Sequence, residues 1–217
     1  MALSSTKGEI PENVIVLTQK EAIAYRWKQI YNWKPQKEVW PLSYGAALLG
    51  GVAALSSFYI NTRIRKIIKL RTFGSIASAI PMTVCPALIT TLAQMEMVSE
   101  KVVLPMQTCP LCLEMRSILV QNTCGILYPL VLSPVVNLLI AKRVGTFRMP
   151  YYTSWKEVIY FSANLFKVTF PSLAMLSVIN TIAAIFLVYK QFNCISYMDQ
   201  ILTLDTERDD DEMDTKF

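Results

Sequence analysis

Four stretches of this chain, at 44–60, 73–92, 117–140 and 168–189, contain no Asp, Glu, Lys or Arg. Each is about as long as a helix needs to be to cross a hydrocarbon core of roughly 30 Å at 1.5 Å per residue. A helix in the core of a soluble domain would carry charges on its outer face. Four charge-free runs in 217 residues therefore point to an all-α integral membrane protein with about four transmembrane helices. Composition agrees: 53% of residues are hydrophobic and 17% charged, where a soluble protein averages about 25% charged. The mean hydropathy is +0.36.

The net charge of +5 is not a nucleic-acid signature. The basic residues sit in short segments beside apolar runs, where they anchor and orient helices. No partnership with nucleic acid is expected, and the lipid bilayer is the first partner implied. The chain has no histidine, which excludes Ser-His-Asp and Cys-His catalysis, His-ligated metals and a histidine proton shuttle. Residues 1–13 lack the apolar core of a secretory signal, and Glu9 and Glu12 suit a cleavable mitochondrial presequence poorly. Targeting would be carried internally.

The sequence divides into an N-terminal segment (1–41), a four-span membrane domain (42–190) and a polar tail (191–217). Thr18 and Glu21 have capping-box spacing, and Ile23, Trp27, Ile30 and Tyr31 form one stripe at helical period. This predicts an amphipathic helix over 18–33, lying either at a membrane surface or against a protein partner. The first span, 42–60, is rich in small residues. Ala46, Gly50 and Ala54 are four apart and share a helix face that a second helix can approach closely. That face would pack within the chain's own bundle or dock another membrane protein. Arg63, Arg65, Lys66, Lys69 and Arg71 read as a basic loop. The second span, 73–92, carries Pro81 and Pro86, so a bent or partly unwound helix facing protein is expected. Residues 93–114 read as a loop of mixed polarity. The third span, 117–140, contains Pro129 and Pro134, and the fourth starts at Val168. The last stretch, 205–217, holds seven acidic residues and reads as a disordered, solvated end.

Ten basic residues flank the spans on the side of the first and third connections, against five on the other side. The bias places both termini and the 93–114 segment outward.

Few residues suggest chemistry. Cys109 and Cys112 form the one pair with motif spacing. Zinc needs four ligands, and the remaining thiols, Cys85, Cys124 and Cys194, lie in or beside spans. A thioredoxin-type site is expected in a βαβ context that this chain lacks. A disulfide fixing the start of the third span, or two free thiols, are the readings left. The outward placement favours a structural disulfide. No span carries an ionisable residue of the kind transporters use, and Asn122, Asn137 and Asn180 are explained by interhelical hydrogen bonds. No cofactor is implied, and no residues support an enzyme. A solute or lipid transporter is the alternative class, motivated by several kinked spans and weakened by the absence of an internal repeat.

Cys109-x-x-Cys112-x-x-x-Arg116-Ser117, followed by Tyr128-Pro129, Asn137, Ala141 and Arg143, resembles the transmembrane protein 126 family. Ala46-Ala47-Leu48-x-Gly50, Pro81-Met82 and Pro86 extend the resemblance over roughly 40–190. It implies a non-catalytic assembly factor for respiratory complex I in the mitochondrial inner membrane. Its partners would be membrane-arm subunits of complex I and other assembly factors. Combined with the outward placement from the basic residues, the resemblance puts both termini and the Cys109–Cys112 pair in the intermembrane space, where disulfides can form. The intact pair looks more like the family branch linked to the distal membrane arm.

Overall fold

The computed structural model of the chain describes residues 18–68, 74–104, 109–144 and 155–214, and the backbone alone at 138, 141–144, 155–168, 205–207 and 209–214. Every element among the described residues is helical. Helix α1 (Gln19–Asn32) and the single turn α2 (Trp40–Ser43) precede α3 (Gly45–Ile67). Helix α4 (Ser75–Gln94) passes through a π turn (Met95–Ser99) into α5 (Glu100–Val103). Helix α6 (Pro110–Asn122) passes through a second π turn (Thr123–Leu127) into α7 (Tyr128–Val144), and α8 (Trp155–Asp214) closes the chain. Among the described residues, four helical segments are long and apolar enough to cross a membrane: Gly45–Ile67, Ser75–Val103, Pro110–Asn137 and Thr169–Leu204.

Helix α3 is the centre of the bundle. Its buried positions (Ala46, Leu49, Ala53, Ser57, Ile60, Ile64) recur at three or four residues and face α4, α7 and α8. Helix α4 packs on it with one narrow stripe, Ser78, Met82, Pro86, Thr90 and Gln94, each four apart. The opposite row, Ile76, Ile80, Val84, Leu88 and Leu92, is exposed, as a lipid-facing helix requires. Two apolar clusters close the ends. Ile30, Val39, Leu42, Val98, Val102, Leu113, Val188 and Met198 belong to one. Ile60, Ile64, Ile68 and Leu173 form the other. The first cluster draws α1, α5, the start of α6 and the distal half of α8 to the same end.

Several element boundaries differ from the sequence expectation. Arg63, Arg65 and Lys66 belong to the last turns of α3 rather than to a loop. Cations are favoured there by the unpaired carbonyls of a helix C-terminus. Helix α4 runs unbroken through Pro81 and Pro86, and its irregular turn comes later, at Met95–Ser99. Residues 93–103 are therefore helix rather than loop. The third span starts at Pro110, earlier than expected. Proline suits the first helical position because its missing N–H would have no intrahelical partner there. The acidic tail continues α8 to Asp214. An existing helix adds a hydrogen bond with each further residue, so the unfavourable nucleation step is already behind it.

Helix α1 forms as the capping box predicts, with the Thr18 N–H donating to Glu21 Oε2 at 2.9 Å. Its Ile30 is buried in the end cluster and Trp27 packs partly against it, whereas Tyr31 is exposed. The Arg26–Asp199 ion pair, at 2.8 Å, joins α1 to α8. Helix α1 is thus docked on the chain's own bundle.

Candidate functional site

Buried polar side chains line the interior of the bundle. At the end marked by Ile60 and Ile64, α3 contributes Asn61 and Arg65, α4 contributes Ser78, and α7 contributes Ser133 and Asn137. All five are buried, and only Arg65 is measurably exposed, at 7%. Asn61 Oδ1 accepts from Asn137 Nδ2 at 2.8 Å and from Ser133 Oγ at 2.9 Å. Arg65 Nη1 donates to Ser78 Oγ (2.8 Å), to Asn137 Oδ1 (3.2 Å) and to the Gly74 carbonyl (3.3 Å). Gly74 is at φ +62° immediately before α4, a left-handed conformation that glycine adopts without strain. One guanidinium therefore joins three helices. All three contacts are made from one nitrogen, Nη1, which places it at the meeting point of α3, α4 and α7.

A second network occupies the middle. Gln121 Nε2 donates to the Leu49 carbonyl (3.1 Å) and to Asn180 Oδ1 (2.9 Å), and Asn180 Nδ2 donates to Ser56 Oγ (2.8 Å). Asn122 bonds Thr181 and Ser177 of α8 at 3.1 and 2.8 Å. Ser57 Oγ donates to the Gly125 carbonyl at 3.4 Å. Pro129, four residues on, has no N–H to give that carbonyl, so a hydroxyl from α3 replaces the bond that proline removes. Towards the other end, Gln94 Nε2 donates to Ser117 Oγ at 2.8 Å, and Gln191 Nε2 donates to the Pro41 carbonyl at 3.1 Å. Apart from Arg65, every buried polar side chain among the described residues is a neutral amide or hydroxyl. This inventory ties helices together and offers no ionisable carboxylate to a moving proton or cation.

The Cys109–Cys112 pair is outside this interior, at the start of α6. Both residues are exposed free thiols. Cys109 is the residue before the helix and Pro110 its first position. The Cys112 N–H donates to the Cys109 carbonyl at 3.1 Å. The Cys112 backbone N–H and thiol and the Leu111 N–H, at the first turn of α6, hold the Cys109 thiol below its ordinary pKa. Beside the pair is a cleft of about 270 Å³, lined by α1, the π turn at Met95–Ser99, α5 and α6 through Gln19, Glu96, Glu100, Lys101, Cys112 and Arg116.

The positions singled out from the sequence fall in different places. Ala46 and Gly50 are buried and Ala54 is half-buried. A Cβ on Gly50 would meet the Ala87 carbonyl at 2.8 Å and the Thr91 hydroxyl. The small-residue face is thus filled by α4 and is not free to dock another protein. Arg116 lines the cleft, while Ser117 is buried under Gln94. Tyr128 is half-buried and Pro129 buried at the second π turn. Asn137 joins Asn61 and Arg65. The side chain of Arg143 lies outside the described residues. Asn122, Asn137 and Asn180 make the interhelical bonds expected of them. Asn61, Gln94, Gln121 and Gln191 were not anticipated, although an amide at 94 or 121 inside or beside an apolar run is a signal of the same kind. Arg65 had no such signal, being one of several cations in a basic stretch. No group of three metal-ligating side chains occurs among the described residues.

Residues 21–205 match the family model described as Transmembrane protein 126. The chain belongs to the Transmembrane protein 126 family. It is 34% identical over 190 residues to Transmembrane protein 126 of Drosophila melanogaster, covering 86% of this chain and 85% of the fly protein. Transmembrane protein 126A of Mus musculus is 31% identical over 163 residues, covering 71% of this chain and 76% of its own. No solved structure matches. The family match starts within α1 and ends within α8, so it takes in all four spans and the helix docked at their end.

Proposed function

We propose that this Transmembrane protein 126 family member is a non-catalytic assembly factor for respiratory complex I. It would sit in the mitochondrial inner membrane and hold membrane-arm subunits, or other assembly factors, until their neighbours arrive. The family match over 21–205 carries this reading, because the role is what the resemblance implies. The interior fits a holding role: its asparagine, glutamine and arginine side chains donate interhelical bonds, and the described buried residues include no carboxylate. The contact surface for a membrane partner must be an outward one, because α4 fills the small-residue face of α3. Ala47 and Gly51 are exposed on α3, and a Cβ on Gly51 would meet nothing within 4 Å. A partner helix could approach closely there.

Deleting the protein should leave stalled complex I subassemblies on native gels while the other respiratory complexes stay normal. Re-expression should restore complex I, and a Gly51→Leu chain should restore it less well at equal abundance. Normal complex I in the absence of the protein would remove the proposal. Full rescue by Gly51→Leu would remove the contact surface alone.

A further inference from the structure

We propose that Cys109 and Cys112 form a reversible thiol–disulfide exchange site, whose substrate is a disulfide presented at the cleft between α1, α5 and α6. The inference is independent of the complex I reading and of the compartment. It differs from the permanent brace expected from the sequence. A thioredoxin-type site comes in a βαβ unit, yet the exchange chemistry needs only part of that unit. It needs a nucleophilic cysteine capping a helix, with a second thiol one turn inside. Helix α6 supplies this: Cys109 precedes it, Pro110 opens it, and Cys112 returns to Cys109 through its backbone N–H at 3.1 Å. Both thiols are exposed, which a buried structural pair would not be. Cys112 also lines the cleft, with Glu96, Glu100, Lys101 and Arg116 around it. A polypeptide or peptide-like disulfide carrying both charges could be seated there.

The exchange is balanced without any further reactant. The Cys109 thiolate attacks one sulfur of the substrate disulfide, forming a mixed disulfide and releasing the other sulfur as a thiolate. The Cys112 thiol gives up its proton to that leaving thiolate and attacks Cys109 Sγ. The Cys109–Cys112 bond forms, and the second substrate sulfur leaves as a thiolate that takes the proton Cys109 lost. The two cysteines lose two electrons and the substrate disulfide gains them. The reverse sequence reduces the pair. The lowered pKa of Cys109 suits it to be the attacking thiol.

The purified full-length chain in nanodiscs, equilibrated anaerobically in glutathione and glutathione disulfide at pH 7, tests this. Acid quenching and maleimide labelling would count the thiols, with C109S/C112S as the baseline for the other three cysteines. Two thiols should disappear and return together within the range of the buffer. Cys109 in the C112S chain should also react with iodoacetamide about fivefold faster than Cys112 in the C109S chain. A pair that stays oxidised in the most reducing buffer is a structural brace and overturns the proposal. So does a pair that stays reduced throughout, or equal alkylation rates. Should the single variants fold poorly, the titration of the unaltered chain decides. Exchange with a cystine-bridged peptide faster than with glutathione disulfide assigns a polypeptide substrate, and the opposite order assigns a small-molecule one.

Discussion

Removing the Asn137 side chain would leave the Asn61 carbonyl oxygen with one donor instead of two and take one acceptor from Arg65. Both effects fall in a site with no measurable exposure at Asn61 or Asn137, where water cannot replace the lost partner. Single interhelical hydrogen bonds in membranes are worth about 0.6 kcal/mol on average, and a bond from a charged donor is stronger. Asn137→Ala should therefore destabilise the bundle by about 2 kcal/mol. Asn122→Ala, at a half-buried position with two neutral interhelical partners, should cost about 1 kcal/mol. Reversible unfolding in mixed micelles measures both, and equal effects would contradict this ranking. The asparagines themselves were legible in the sequence, because a polar residue inside a charge-free run has few explanations. Arg65 was not. Its neighbours Arg63 and Lys66 are also basic, and only the register of α3 distinguishes the cation turned inward from those at the edge.

The two adjacent glycines of α3 separate packing from propensity at the scale of the element. A methyl group on Gly50 would be pressed against the backbone of α4, 2.8 Å from the Ala87 carbonyl, whereas one on Gly51 would enter open space. Gly50→Ala should force α3 and α4 apart and cost about 1–3 kcal/mol. Gly51→Ala should leave stability unchanged or raise it by up to about 1 kcal/mol, since alanine is the better helix former. The same unfolding measurement checks the pair, and a loss at Gly51 comparable to that at Gly50 would mean that α3 is rotated from the position described. The spacing of Ala46, Gly50 and Ala54 revealed a face for close approach. It could not reveal that α4 covers it, because spacing describes one helix and coverage depends on two. Helix ends were hidden for a related reason. Glu96, Glu100 and Lys101 read as loop by composition, yet the helix continues through them because Val98, Val102 and Val103 on its other side are buried in the end cluster.

At the scale of the molecule, the bundle fixes which parts share a side of the membrane. Ile30 of α1, Val102 of α5, Leu113 of α6 and Met198 of α8 meet in a single cluster. The Cys109–Cys112 pair, the N-terminal helix and the distal half of α8 must therefore emerge on one face, whichever face that is. On the proposed inner-membrane placement, the ten-to-five excess of basic residues on the opposite side predicts that this end faces outward. After reduction, a membrane-impermeant maleimide added to mitochondria with a ruptured outer membrane should label Cys109 and Cys112. A tag placed after Phe217 should be cut by protease in the same preparation, while a cysteine introduced at Lys69→Cys should stay unlabelled until the inner membrane is dissolved. Labelling of Lys69→Cys with protection of both other probes would reverse the orientation and leave the bundle intact. An accessible Cys109 beside a protected C-terminal tag would be more serious, because an odd number of crossings between Cys109 and the C-terminus cannot place Leu113 and Met198 in one cluster.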